Sequence, residues 1–186
     1  MTIEDVYAEL KARLVGGMMF HDEMANYYDF IGMRGYKRCH EYHFLCESIW
    51  MRNLERHFMK YHHMLIKDIP VDDPEVIPSN WFKYTQIDVD ASTKQNAVKS
   101  GVEKWVKWEK ETKEKLHALY DEVEDSVDIM FIEKMLCAVS KELKCAEKKH
   151  LELEAVSYNM PYIMTQQCAI HDMYKEKTNK VGKHIR

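Results

Sequence analysis

Proline and glycine are scarce, 4 and 6 among 186 residues. Proline lacks an N–H and glycine a Cβ, so these residues punctuate secondary structure, and long tracts without them read as helix. A long hydrophobic run is also missing. The longest, Leu14 to Phe20, is far short of the roughly 18 residues that cross a bilayer, and no membrane span is expected. There is no basic excess either: the formal charge is −4 and the pI about 6.2, so nucleic acid is not an expected partner. Five cysteines (Cys39, Cys46, Cys137, Cys145, Cys168) contain no CxxC pair, and an odd count argues against a disulfide framework. Residues Met1 to Asp5 carry two acids and no basic-then-apolar signal pattern, which makes the cytoplasm the expected location. Nothing resembles a phosphate loop or a nucleophilic triad. What is there, 46% hydrophobic and 31% charged residues, predicts a single domain over residues 1–186 with a sizeable core.

The breakers cluster. Gly32 to Gly35 reads as a tight turn, Ile69 to about Asp90 as a long connection holding Pro70, Pro74 and Pro78, and Glu124 to Asp128 as a second tight turn. The fold class is therefore all-α: two helical hairpins joined by a crossover, with Asn159 and Pro161 ending the fourth helix and a short fifth from Tyr162 to Lys177. Apolar positions three and four apart mark the buried faces. They run Ile3, Val6, Leu10, Leu14, Gly17, His21, Met24, Tyr28, Ile31 in the first helix, and His43, Glu47, Trp50, Leu54, His57, Tyr61, Met64 in the second. In the third they are Val98, Val102, Trp105, Glu109, Thr112, Leu116, Leu119, Val123, and in the fourth Leu136, Val139, Leu143, Ala146, His150, Leu153.

Each stripe carries ligand-type residues on it or beside it: Glu23, Glu47, Glu109, Glu142, Glu147 and His150. A crossover of about 20 residues can run the length of a bundle and make the second and third helices parallel. The tight turns then lie at opposite ends, and these carboxylates fall at similar heights on helices of about 30 residues. Gathering them in an apolar core is costly unless a cation compensates. Two iron or manganese ions, held by about four carboxylates and one or two imidazoles, approach charge balance and leave positions open for oxygen or peroxide.

The run Glu109-Lys110-Glu111 followed by Leu116-His117-Ala118-Leu119-Tyr120 resembles the third helix of the ferritin-like superfamily, where a metal-binding Glu opens a run ending in His-x-Leu-Tyr. Glu142, within Ser140-Lys141-Glu142-Leu143, stands where ferritins place a fourth-helix glutamate, and Glu147-Lys148-Lys149-His150 offers a Glu-x-x-His pair. Glu47 lies the family's distance after Gly35; Trp50 occupies the position of the family's histidine, and His43 on the same face could substitute. Asn26 to Glu41 is similar to the segment joining the first two helices of the mini-ferritins. The resemblance, over about residues 3–157, implies a ferritin-like four-helix bundle that oxidises Fe(II) for storage or for protection against oxidative stress, and a homo-oligomer.

Two other readings stand beside this one. A metal-free bundle could serve as an interaction or assembly module, its inward glutamates paired with Arg34, Arg38 or Arg52. A di-iron oxidase acting on an organic substrate would look the same in sequence. His57, His62 and His63 read as surface residues, and Cys39, Cys46, Cys137 and Cys145 as buried small hydrophobes.

Overall fold

The computed structural model describes residues 1–71, 74–78, 81 and 89–182, so part of the connection expected at 69–90 lies outside the described residues. Five helices form: α1 (Ile3–Phe30), α2 (Arg34–His62), α3 (Ala91–Tyr120), α4 (Ser126–Ala155) and α5 (Met160–Gly182). There is no strand among the described residues, and no described helix is long and apolar enough to cross a membrane.

Short polar side chains set the helix starts by accepting otherwise unpaired N–H groups. Thr2 and Asp5 make a reciprocal capping box at α1. Asp90 accepts from the Thr93 N–H at α3, and Asp125 from the Val127 and Asp128 N–H groups at α4. The Asp125 cap moves the second turn back to residues 121–125, earlier than the expected 124–128. The first turn is also shorter than expected. Gly32, at φ +75°, makes it, while Gly35 already lies inside α2, where a Cβ would overlap the Gln167 carbonyl of α5. Pro161 is the second residue of α5, where a missing N–H goes unnoticed.

The ends show how the helices run. Tyr7, near the start of α1, bonds Asp128 in the first turn of α4 and packs on Phe58 near the end of α2. Leu116 and Leu119, near the end of α3, join the same cluster. At the opposite end Tyr27 of α1 donates to the Ala97 carbonyl near the start of α3. So α2 and α3 are parallel, and the chain between them travels the length of the assembly.

The third-helix stripe is buried throughout, from Val98 to Val123, and α1's from Val6 to Ile31. In α2 the pattern fails at its end: Tyr61 is 45% exposed and Met64 lies beyond the helix. The fifth helix is longer than its expected span. It lies against α2, burying Ile163, Ile170 and Tyr174, while Met173 remains exposed. Two apolar clusters result, one towards each end. Between them lies a layer of buried ionisable side chains.

Candidate metal centre

All four hairpin helices contribute to that layer: His21 from α1, His40, His43 and Glu47 from α2, Trp105 and Glu109 from α3, and Glu142 from α4. Glu109 and His21 are almost fully buried, His43 and Glu47 are buried, and Glu142 is half-buried. One ligand atom from each of His21, His43 and Glu142 lies within 4.8 Å of the other two. His21 Nε2 stands 3.7 Å from Glu109 Oε1, and His43 Nδ1 3.3 Å from Glu142 Oε2. Glu47 reaches across to α1, where a Cβ on Gly17 would sit 3.1 Å from its Cδ. Glycine at 17 thus makes room for a carboxylate at mid-core.

These charges are poorly compensated. Burial, and then the neighbouring Glu142 and Glu109 carboxylates, push the Glu47 carboxyl well above its ordinary range. Burial and Glu142 push Glu109 up to about 8. His43 and Arg13 offset part of this. The Arg13 guanidinium lies 3.6 Å over the Trp108 ring and bonds Thr112 Oγ1 and the Trp108 carbonyl. Burial opposes a charge on His43, but Glu142 and the Cys39 thiol together outweigh it and raise that imidazole. His21 goes the other way: burial and the neighbouring His40 and His43 lower its pKa, leaving it neutral.

A neutral imidazole has one free lone pair, and its neighbours decide which nitrogen carries it. His21 Nδ1 and His40 Nδ1 lie 2.9 Å apart. If His21 Nδ1–H donates to His40, the His21 Nε2 lone pair faces Glu109. Trp105 Nε1–H donates to the same Glu109 oxygen, Oε1, over 3.1 Å. Four atoms at the centre, His21 Nε2, both His43 ring nitrogens and Glu142 Oε2, are buried without a well-formed hydrogen bond. Buried polar atoms in this state are costly. A cation among three carboxylates and two imidazoles would satisfy His21 Nε2, Glu142 Oε2 and one of the two His43 nitrogens, the other keeping its proton, and the donor set, hard oxygen plus imidazole, suits iron or manganese.

Of the residues singled out from sequence, Glu47, Glu109 and Glu142 are brought together. Glu23 is not: it faces the crossover and accepts from the Val76 N–H. Glu147 turns outward to Lys110, and His150 bonds the Tyr158 hydroxyl at 2.6 Å. His43 also joins the layer, 3.3 Å from Glu142, while Trp50 packs edge-on against Phe131. His21 was visible only as a member of its stripe. The pairing imagined with arginines does not form at Arg38, whose partner is Glu41.

His57 and His62 are not surface residues. They close around the buried Asp128, which accepts from Tyr7 at 2.5 Å and lies 3.0 Å from both imidazoles. Tyr7, His57 and His62 account for this second cluster as a hydrogen-bonded clasp between the ends of α1, α2 and α4. The chain matches no family model, no curated protein and no solved structure.

Proposed function

We propose that the chain is a ferritin-like protein that takes up iron at His21, His43, Glu47, Glu109 and Glu142 and oxidises Fe(II) with oxygen or peroxide, for iron storage or protection against oxidative stress. The observation that carries this reading is the convergence, from four helices, of three inward carboxylates and two imidazoles, among which His21, His43 and Glu142 hold buried atoms without a well-formed hydrogen bond. Bound there, iron supplies the one-electron change between Fe(II) and Fe(III). The rest is done by the chain. Glu47, Glu109 and Glu142 provide hard anionic oxygens, which favour the trivalent state. His40 Nδ1, 2.9 Å from His21 Nδ1, can accept its proton and so leave His21 Nε2 free to ligate, and Trp105 donates to Glu109. The parallel α2 and α3, with the crossover between them, agree with a ferritin-like bundle, and that family's habit of assembly makes a homo-oligomer part of the proposal. Manganese is the alternative metal for the same donors.

The test is metal analysis of the protein as isolated and after anaerobic Fe(II) loading, followed by absorbance on adding oxygen or peroxide. About one or two ions per chain, a prompt ferric band, and loss of both in the Glu109→Ala/Glu142→Ala variant are expected. A chain that retains neither iron nor manganese under any loading refutes the reading, and a metal-free assembly module takes its place.

A further inference from the structure

On the side of the centre bounded by α2, α4 and α5 lies an open cleft of about 870 Å³. Its volume falls in the range of roughly 300–1,000 Å³ typical of small-molecule sites. We propose that this cleft binds an anionic amphiphile, a carboxylate-headed molecule with an apolar body, whose far end lies against the metal centre.

The composition of the cleft carries the argument. Its inner side is His43 and Glu142, so whatever fills it reaches two residues of the centre. His43 is 4% exposed and its Nδ1 lies 3.3 Å from Glu142 Oε2, so the two close the inner end of the cleft together. Tyr42, Trp50 and Tyr174 form aromatic walls, with Tyr42 and Tyr174 in contact at 5.3 Å between centroids. Such walls favour an apolar body over a small hydrated ion.

The rim sets the sign of the charge. Lys134, Lys141 and Lys177 all line the opening, all are exposed, and none pairs with a carboxylate among the described residues. Lys177 instead stands over the rings of Tyr174 and Tyr42, at 4.6 and 5.6 Å from their centroids. The rim's acid, Glu133, accepts from the Tyr120 hydroxyl at 3.2 Å. Most lysines elsewhere on the helices have acidic neighbours: Lys11, Lys37, Lys99, Lys107, Lys110, Lys115, Lys148, Lys149 and Lys180 all pair with carboxylates. Three unpaired cations around an aromatic cavity complement a molecule with one anionic end and one apolar end. The proposal rests on the metal reading for the role of the inner end, not for binding itself.

The experiment uses the metal-free full chain. Octanoate, octyltrimethylammonium and inorganic phosphate are titrated separately by calorimetry, with light scattering on the same samples. Octanoate should saturate one site per chain, with the cation and phosphate at least about tenfold weaker. Lys141→Glu/Lys177→Glu should weaken octanoate by about tenfold or more while helicity by circular dichroism and iron uptake are unchanged. Absence of saturable octanoate binding, equal affinity for phosphate or the cation, or indifference to the lysine reversal overturns the proposal. A dimer that seals the cleft and excludes octanoate overturns it in favour of a second copy. Iron loading of the same samples separates the two readings: octanoate binding without iron uptake upholds the cleft and refutes the centre, and iron uptake without octanoate binding does the reverse.

Discussion

Iron uptake should release protons, and the buried carboxylates determine how many. Glu109, with its pKa pushed up to about 8 from an ordinary 4.5 by burial and Glu142, stays largely protonated at pH 7. Glu47 is raised as well, from the same causes. A ligand must be deprotonated, so each proton displaced makes the apparent affinity fall about tenfold for every pH unit below the raised value. Between pH 7 and pH 6 the affinity should fall about tenfold if Glu109 alone releases a proton, and up to about 1,000-fold if Glu47 and His43, both raised as well, do so too. The metal-free protein carries the opposite signature. Between pH 4.5 and about 8 the unfolded chain has lost the Glu109 proton while the folded chain keeps it, so stability falls as pH rises through that window. Calorimetric titration with Fe(II) under anaerobic conditions, in buffers of different ionisation enthalpy, counts the protons directly. At least about one per binding event at pH 6.5 is expected. An affinity independent of pH from 6 to 8, with no proton released, would refute the premise that these carboxylates are protonated at the centre.

The supporting residues make further predictions. His40→Phe removes the acceptor that selects the His21 tautomer, and metal affinity should drop by about 10- to 100-fold with the helices intact, as read by titration and circular dichroism. Gly17→Ala should leave the melting temperature unchanged or higher, since alanine favours helix by about 1 kcal/mol over glycine. Its Cβ, 3.1 Å from Glu47 Cδ, displaces that carboxylate, so iron affinity should fall; unchanged affinity would place Glu47 outside the centre. Asp128→Ala strands Tyr7, His57 and His62 without their acceptor and should destabilise the chain by about 3 kcal/mol or more in urea unfolding. Although burial opposes it, bonds from Tyr7, His62 and His57 hold Asp128 below its ordinary 3.8. Its contribution is therefore full above that value and lost as pH falls through the lower folded one, and wild type should lose stability more steeply than Asp128→Ala in acid.

Three of the converging side chains, Glu47, Glu109 and Glu142, were legible from their spacing to the two turns, because helix rise converts residue number into height. Height was not enough for the others. Glu23 stands two residues beyond His21, roughly 200° around the helix, and so faces the crossover rather than the core. Glu147 is five residues past Glu142, roughly 140° around, on the face turned to Lys110. His150 is at a compatible angle but about 12 Å further along the axis. His21 was hidden because a histidine in an apolar stripe looks the same whether it packs or ligates. His57 stands on α2's apolar stripe, but His62 looked exposed because nothing local in α2 announces that Asp128, 66 residues further on, will be buried beside it.

The sequence alone determined the all-α class, the two hairpins, the polarity of each helix face and the heights of the acids. These follow from helix period, scarce breakers and capping aspartates, which are properties of neighbouring residues. Tertiary structure decided how each helix is rotated about its axis, and with that which acids face inward, which histidines join them, and where a cleft opens onto the centre. Rotation is set by packing across helices, as at Gly17 against Glu47 and Gly35 against Gln167, between residues far apart in the chain.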